Sequence, residues 1–407
     1  MDMPTTGCAS PLTVALVTET YPPEINGVAH TLAALVGGLR RRGHRLQLIR
    51  PHQGPQDQAH GAADLLDVTL PGVPIPGYRG LRFGFPARAA LRRLWSQHTP
   101  SIVHVATEGP LGASAVAAAR DLALPLSSGF HTNFDAYSRH YKLGWLRGAV
   151  RHHLRRLHNR TDLTLAPTAE LVQALLADGY DNVQVLARGV DTRLFSPHRR
   201  SQSLRAAWGA DDETLVVTYV GRLAPEKNLR LVVRAFEAIA AEVANSRLLL
   251  VGDGPLRRQL AGRLTARNLP HSFVGMRRGE DLAGHYASAD LFLFPSLTET
   301  YGNVVPEALA SGLGVVAFAT AAAADLIEDA ANGHVVTPAD DQAFVDAAVA
   351  LSRAPEQLAA LRARAAASIA HLDWERIHDR FAALLTGVIA GRQSKANGDR
   401  PYVLLPD

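Results

Sequence analysis

Short apolar runs alternate with stretches of helical periodicity along most of the chain. Residues 12–18 (Leu-Thr-Val-Ala-Leu-Val-Thr) carry no charge and suit a strand buried on both faces of a parallel sheet. A loop over 19–27 follows, and then Val28, Leu32, Leu35 and Leu39 recur at helical spacing until Gly43, a helix stop. Residues 44–50, 101–107, 124–131 and 162–168 read as further strands. The pattern restarts after a Pro- and Arg-rich stretch around 195–203, with strands predicted over 214–220, 247–251, 271–274, 291–294 and 314–318. Strands separated by helix-length segments mean parallel α/β architecture. The chain therefore reads as two doubly wound domains, 1–195 and 196–372. A helix over 373–391 and a polar tail over 392–407 follow. Ligands of such sheets sit at the carboxyl ends of the strands, so the residues just after each strand are where chemistry is sought.

Composition narrows the class. With 407 residues, 47% hydrophobic and 20% charged, the chain can bury a sizeable core and is not disordered. Its one cysteine, Cys8, excludes a disulfide framework and a cysteine zinc cluster. The uncharged stretch over 308–324 is dominated by Ala and other small residues and is too short to span a bilayer. The first residues lack a basic segment followed by an apolar core, so neither a signal peptide nor a lipid-modified Cys8 is expected, and the cytoplasm is the expected compartment.

Charge is uneven. Residues 1–200 hold 22 Lys and Arg against 14 Asp and Glu, and the remainder 20 against 24. An anionic partner is expected on the basic half. The most basic stretch, 139–160, carries seven Lys or Arg, four His and no acid. Leu146, Val150, Leu154 and Leu157 recur there at helical spacing, with Arg147, Arg151 and Arg155 on the flank and Trp145 at the start. Such a helix either lies on an anionic bilayer, apolar side in, or packs its leucines on its own sheet. Nucleic acid fits less well, because aromatics are not interleaved through the run.

Several loops after strands carry candidate chemistry. Gly221-Arg222, followed by Glu226-Lys227-Asn228, joins a strand to a helix start; Arg222 offers a bidentate grip on phosphate and Lys227 a second cation. A solvated basic loop is the plainer alternative. Glu299 and Glu307 flank Gly302 in Glu-Thr-Tyr-Gly-Asn-Val-Val-Pro-Glu, and carboxylates suit sugar or ribose hydroxyls; Glu307 alternatively just favours a helix start near Pro306. Gly252-Asp253-Gly254-Pro255 lacks the third glycine of a dinucleotide fingerprint and reads as a turn with Pro255 opening a helix. Gly27 stands at a helix start and His131 at a strand end. No Asp-x-Asp pair, metal-ligand spacing or Gly-x-Ser-x-Gly elbow is present, so a metal-independent site without cofactor is the simpler inference.

In this order, on alternating strands, the motifs resemble glycosyltransferase family 4, retaining enzymes of the two-domain GT-B fold, over roughly residues 12–390. The resemblance is carried by Tyr-Pro-Pro-Glu-Ile-Asn-Gly-Val at 21–28, Phe-His-Thr-Asn-Phe at 130–134 and Arg-Gly-Val-Asp at 188–191 before Phe195 and Pro197. It continues through Gly221-Arg222 with Glu226-Lys227-Asn228, Val-Gly-Asp-Gly-Pro at 251–255, Phe-Val-Gly at 273–275, and Glu299 with Glu307. It implies two Rossmann-like domains facing a central cleft, with the last helix around Trp374 crossing back to the first. It implies that Arg222 and Lys227 hold the donor diphosphate, that Glu307 accepts from the ribose, and that Glu299 with the Thr300, Tyr301, Gly302 and Asn303 segment meets the hexose. Gly27 and Gly275 are implied at the donor and His131 near the reacting centre. Catalytic roles thus fall to His131, Arg222, Lys227 and Glu299, with the leaving phosphate taking the acceptor's proton in front-face attack. The sequence departs from the family pattern at Pro306, Gly314 and 321–324, on the sugar side of the site.

Within the family the chain is most similar to GDP-mannose-dependent α-mannosyltransferases, and next to enzymes that move glucose, glucuronate or sulfoquinovose from UDP to diacylglycerol. The expected partners are a nucleotide sugar, a glycolipid or lipid-linked acceptor and the cytoplasmic membrane face. A two-domain NAD-dependent oxidoreductase needs glycines that neither first strand supplies. A non-catalytic sugar- or nucleotide-binding module would leave Arg222, Lys227, Glu299 and Glu307 together without a purpose.

Overall fold

Each of two parallel sheets is the centre of its own unit in the computed structural model. The structure describes residues 11–396 apart from 25, 55–56, 58, 60, 75–81 and 132–146. Unit 1 comprises Met1–Ala187 with Glu375–Asp407, and unit 2 is Arg188–Trp374.

Unit 1 contains strands β1 (Thr13–Val17), β2 (Arg45–Pro51), β3 (Leu65–Leu70), β4 (Gly72–Pro74), β5 (Arg82–Gly84), β6 (Ile102–Val105), β7 (Leu126–Gly129), β8 (Leu163–Ala166) and β9 (Val183–Val185). Seven of them form one sheet in the order β3-β2-β1-β6-β7-β8-β9, its pairings all parallel, and β4 pairs with β5 antiparallel. Val14, Ala15, Leu16 and Val17 are fully buried, as the uncharged run requires of a strand covered on both faces. Helix Gly27–Arg41 buries Leu32, Leu35 and Leu39, while helix Arg88–Gln97 adds Leu91 and Trp95 to a core with Val103, Val105 and Leu111.

The last helix, Trp374–Ala396, also packs on unit 1. Phe381 is fully buried and meets the His104 ring edge-on at 5.1 Å. Gly38 leaves the space that the His378 ring occupies, since a Cβ there would lie 2.2 Å from it. Arg42 pairs with Asp379 and Arg392 with Asp162, so both ends of the helix are pinned. Burial of Phe381, Leu384 and Leu385 contributes roughly 1.5–3 kcal/mol for each side chain.

Unit 2 contains β10 (Leu215–Val220), β11 (Ser246–Val251), β12 (His271–Gly275), β13 (Leu291–Phe294), β14 (Gly314–Phe318) and β15 (His334–Val336), in the order β12-β11-β10-β13-β14-β15. In each sheet the order reverses at the first strand, the doubly wound Rossmann arrangement. The unit begins at Arg188, where the sequence had placed the boundary after 195. The reason is local: Val190 bridges to Asp373, its N–H donates to Leu372 O (2.9 Å), and Thr192 donates to Asp373 (2.7 Å).

A buried charge hub closes the far end of this sheet. Arg205, fully buried, pairs with Asp290 at 3.0 Å and donates to the carbonyls of Ser288, Asp211 and Thr214. Asp290 also holds Arg200 and Arg362, each at 3.0 Å. Breaking such a pair leaves a buried charge uncompensated, so Asp290→Asn is expected to cost about 3–5 kcal/mol, read as a lower denaturant midpoint. A change within experimental error would show that the hub contributes nothing net.

Candidate active site

The switch point of unit 2 lies where β10 neighbours both β11 and β13, and the sequence places its charged loops there. β10 ends at Val220 and the chain turns through Gly221 (φ +146°). Gly252, after β11, has no room for a side chain, since a Cβ would lie 2.0 Å from Gly221 O; the two strand ends therefore run close together. A single 3-10 turn, Pro225–Lys227, and Asn228 in the left-handed region (φ 52°) lead into helix Leu229–Glu242. This turn brings Lys227 onto Glu299, seventy-two positions away, as an ion pair with both side chains largely buried. Arg222, mostly exposed, pairs with Glu226.

Glu299 stands in the loop after β13 and also accepts from Ser296 Oγ at 2.7 Å. The loop turns at Gly302 (φ +86°) into helix Val304–Ala310, which starts two residues before Pro306. Its shape is held from three sides. Thr298 Oγ1 donates to Glu226 O (3.2 Å), Tyr301 OH donates to Arg188 O (3.1 Å), and Ala322 N–H donates to Tyr301 O (2.9 Å). The run of alanines at 321–324 thus supports the 299–303 loop through the backbone of Ala322. Thr300 is half-buried in the loop, and Asn303 Oδ1 lies 3.5 Å from Arg188 Nη1. Gly275 (φ +75°) ends β12 and accepts from Gly252 N–H at 2.8 Å.

Glu307 accepts from Tyr286 OH at 3.0 Å. Burial of its carboxyl pushes the pKa from 4.5 up to about 7, with the Tyr286 bond opposing, while burial beside Glu307 holds the Tyr286 hydroxyl well above its usual range. Tyr286 and Ser296 are parts of the site that sequence reasoning missed, because nothing in their neighbourhoods marks them. Arg188 was visible only as part of a motif. Pro255 precedes its helix, which starts at Arg257.

In unit 1, Gly27 is exposed and opens its helix, with Asn26 Oδ1 accepting from Ala29 N–H at 2.8 Å. His131 follows β7, its ring against Gly129. Glu19, not foreseen, is buried after β1 and accepts from Leu111 N–H at 2.8 Å; burial pushes its carboxyl up to about 7 against that bond.

The basic stretch resolves in part. Trp145 and Leu146 lie outside the described residues, and helix Arg147–His158 begins at Arg147. Leu154 and Leu157 are buried and Val150 packs beside Leu154, so the apolar stripe faces the unit's own core, and the membrane reading with that side inserted is corrected. Arg155 donates to Asp178 O (2.9 Å), and Arg151, 57% exposed, lies 3.6 Å from the Asp178 carboxylate. Among the described residues no helix is long and apolar enough to cross a membrane, and no group of three or more His, Cys, Asp or Glu is placed to hold a metal ion.

A family model described as Glycosyltransferase Family 4 matches residues 25–194, and one described as Glycosyl transferases group 1 matches residues 214–354. The chain is 34% identical over 385 residues to a GDP-mannose-dependent alpha-mannosyltransferase of Mycobacterium tuberculosis, covering 94% of this chain and 98% of that protein. It is 29% identical to sulfoquinovosyl transferase SQD2 of Arabidopsis thaliana over 82% of this chain and 65% of that one. Sucrose-phosphate synthase from Thermosynechococcus elongatus shares the fold at a TM-score of 0.75, with 19% identity over 93% of this chain and 99% of that one.

The raised pKa of Glu307 makes a pH-dependent prediction. An acid at 4.5 when unfolded and about 7 when folded binds its proton more tightly in the native state, so its contribution is full below 4.5 and is lost as pH rises through 7. Glu307→Gln is therefore expected to gain stability relative to the parent between pH 5 and pH 8. Urea unfolding at the two values checks it, and an offset equal at both would refute the assignment.

Proposed function

Because this chain belongs to glycosyltransferase family 4 and is a glycosyltransferase that draws on a nucleotide sugar, we propose that it moves mannose from GDP-mannose, with retention, to a lipid-linked or glycan acceptor. The observation that carries the reading is the Lys227–Glu299 ion pair, which joins the loops after β10 and β13 at the switch point, in a chain similar along nearly its whole length to a GDP-mannose-dependent enzyme.

In this reading the donor diphosphate takes Arg222 from Glu226 and Lys227 from Glu299. Both cations then face the bond that breaks, and charge developing on the departing nucleotide is met without reorganisation of water. Glu299, released from Lys227, turns its carboxylate to hexose hydroxyls beside the 300–303 backbone. Ionised Glu307 accepts from the ribose, so nucleotide affinity rises with pH through 7. Gly275 borders the base. In unit 1, Gly27 offers the start of its helix to phosphate and His131 is the hexose contact near the reacting carbon. The leaving phosphate accepts the proton of the attacking hydroxyl, with no metal and no cofactor required, since arginine and lysine supply the positive charge.

The acceptor is assigned to the cytoplasmic membrane face. One relative is an α-monoglucosyldiacylglycerol synthase and another a phosphatidylinositol monomannoside mannosyltransferase, which supports a lipid-borne substrate. Any membrane contact through helix Arg147–His158 is electrostatic, by Arg147, Arg151 and Arg155, because Leu154 and Leu157 are spent on the core. A UDP-sugar donor with diacylglycerol as acceptor is the second reading, favoured by the similarity to SQD2.

Calorimetric titration with GDP, UDP and NAD tests the donor. GDP alone is expected to bind; UDP alone would select the second reading, and NAD alone would end both. Lys227→Ala and Glu307→Ala are expected to weaken nucleotide binding, about tenfold or more for the lost charge-assisted contact of Lys227, whereas Glu299→Ala mainly lowers turnover. Binding to anionic vesicles should fall steeply with salt, and salt-independent binding would contradict an electrostatic contact.

A further inference from the structure

Three cations gather around the 299–303 loop, and only two of them are answered. Arg222 has Glu226 and Lys227 has Glu299. The third, Arg188, is 6% exposed, and among the described residues no carboxylate forms an ion pair with it. Among the described residues its Nε meets no acceptor, and the side-chain hydrogen bond it makes there, Nη1 to Asn303 Oδ1, is long at 3.5 Å. Its guanidinium carbon lies 5.5 Å from the centre of the Tyr301 ring, on whose hydroxyl the Arg188 carbonyl also draws.

This is an unusual condition for an arginine in this protein. Arg50 is buried against both Asp57 and Asp67, and Arg205 against Asp290 with three carbonyls. A buried guanidinium without a carboxylate in contact costs several kcal/mol unless something else repays it, and Glu299 acts on Arg188 only through space. Burial pulls Arg188 down to about 10, still protonated at neutral pH. An aromatic face, an amide oxygen and the field of Glu299 soften the cost but leave a cation without an ion-pair partner under the loop.

We propose that Arg188 is a positioning residue of the donor site, holding Tyr301 and Asn303 from beneath and supplying a positive charge, without an ion-pair partner of its own, that the bound nucleotide diphosphate neutralises. This rests on the donor reading given above and adds a residue to it. Filling the site then completes the charge balance: the diphosphate replaces Glu226 and Glu299 as partner of the two outer cations and screens the inner one through space. In a low-dielectric setting that attraction grows with the charge on the ligand. Arg188 therefore discriminates by phosphate number and is indifferent to the base.

The test is titration of the full chain with guanosine, GMP and GDP, or with the uridine series if UDP is the nucleotide that the parent binds. Arg188→Met is expected to leave nucleoside affinity unchanged, weaken the monophosphate slightly and weaken the diphosphate about tenfold. Arg188→Gln should behave like Met, and Arg188→Lys, which keeps the charge and loses the fork, should restore most of the diphosphate affinity. If the Met variant does not fold, the contrast between Gln and Lys reads the same quantity. Equal loss across the three ligands, or Lys no better than Gln, would reduce Arg188 to a packing role. Failure of the parent itself to bind any nucleoside diphosphate would overturn the donor reading instead.

Discussion

The reversal of strand order at the first strand of a parallel sheet governs this molecule. A right-handed crossover leaves each new strand on one side of its predecessor, and only where the order turns back do the following loops part. In unit 2 the loops after β10 and β13 part, and Lys227 from one meets Glu299 from the other there. Glycine makes the arrangement tight. Gly252 allows the ends of β10 and β11 to touch, and Gly302 turns the β13 loop into the helix that carries Glu307. The chemistry is thus a consequence of backbone geometry before it is one of side-chain identity.

Electrostatics then separates structural charge from functional charge. At the closed end of the unit 2 sheet, Asp290 collects three arginines and the hub is satisfied. At the other end, Arg222 pairs with Glu226 and Lys227 with Glu299, carboxylates carried on loops, and among the described residues Arg188 forms no ion pair. The same residue type serves both purposes. What differs is whether the partners are fixed carbonyls and a buried carboxylate, or carboxylates on loops.

The central strands were legible because an uncharged run of Val, Leu and Ile has few other destinations. The edge strands were not. β3 carries Asp67 in its middle, where it pairs with buried Arg50, and so breaks the apolar signal; β9 and β15 have only three residues each. The chemistry of the site was legible as far as residues sit in the loops after strands, as Arg222, Lys227 and Glu299 do, or open the helix that follows, as Glu307 does. Tyr286 lies on a helix and reaches Glu307 only in three dimensions, and Glu19 became visible as a helix-capping carboxylate only once Leu111 was placed beside it. The leucines of 146–157 illustrate an ambiguity that periodicity alone leaves open, since a stripe for the core and a stripe for a bilayer have the same spacing.

The last helix belongs to the unit that the chain began, and the whole of unit 2 is interposed before it. Synthesis proceeds from the N-terminus, so the ribosome releases a finished unit 2 while unit 1 still lacks the piece that carries Phe381 and Arg392. The grooves beside His104 and Asp162 stay open until then. Unit 1 therefore closes only after unit 2 has been synthesised, and its packing waits on chain that lies beyond its neighbour.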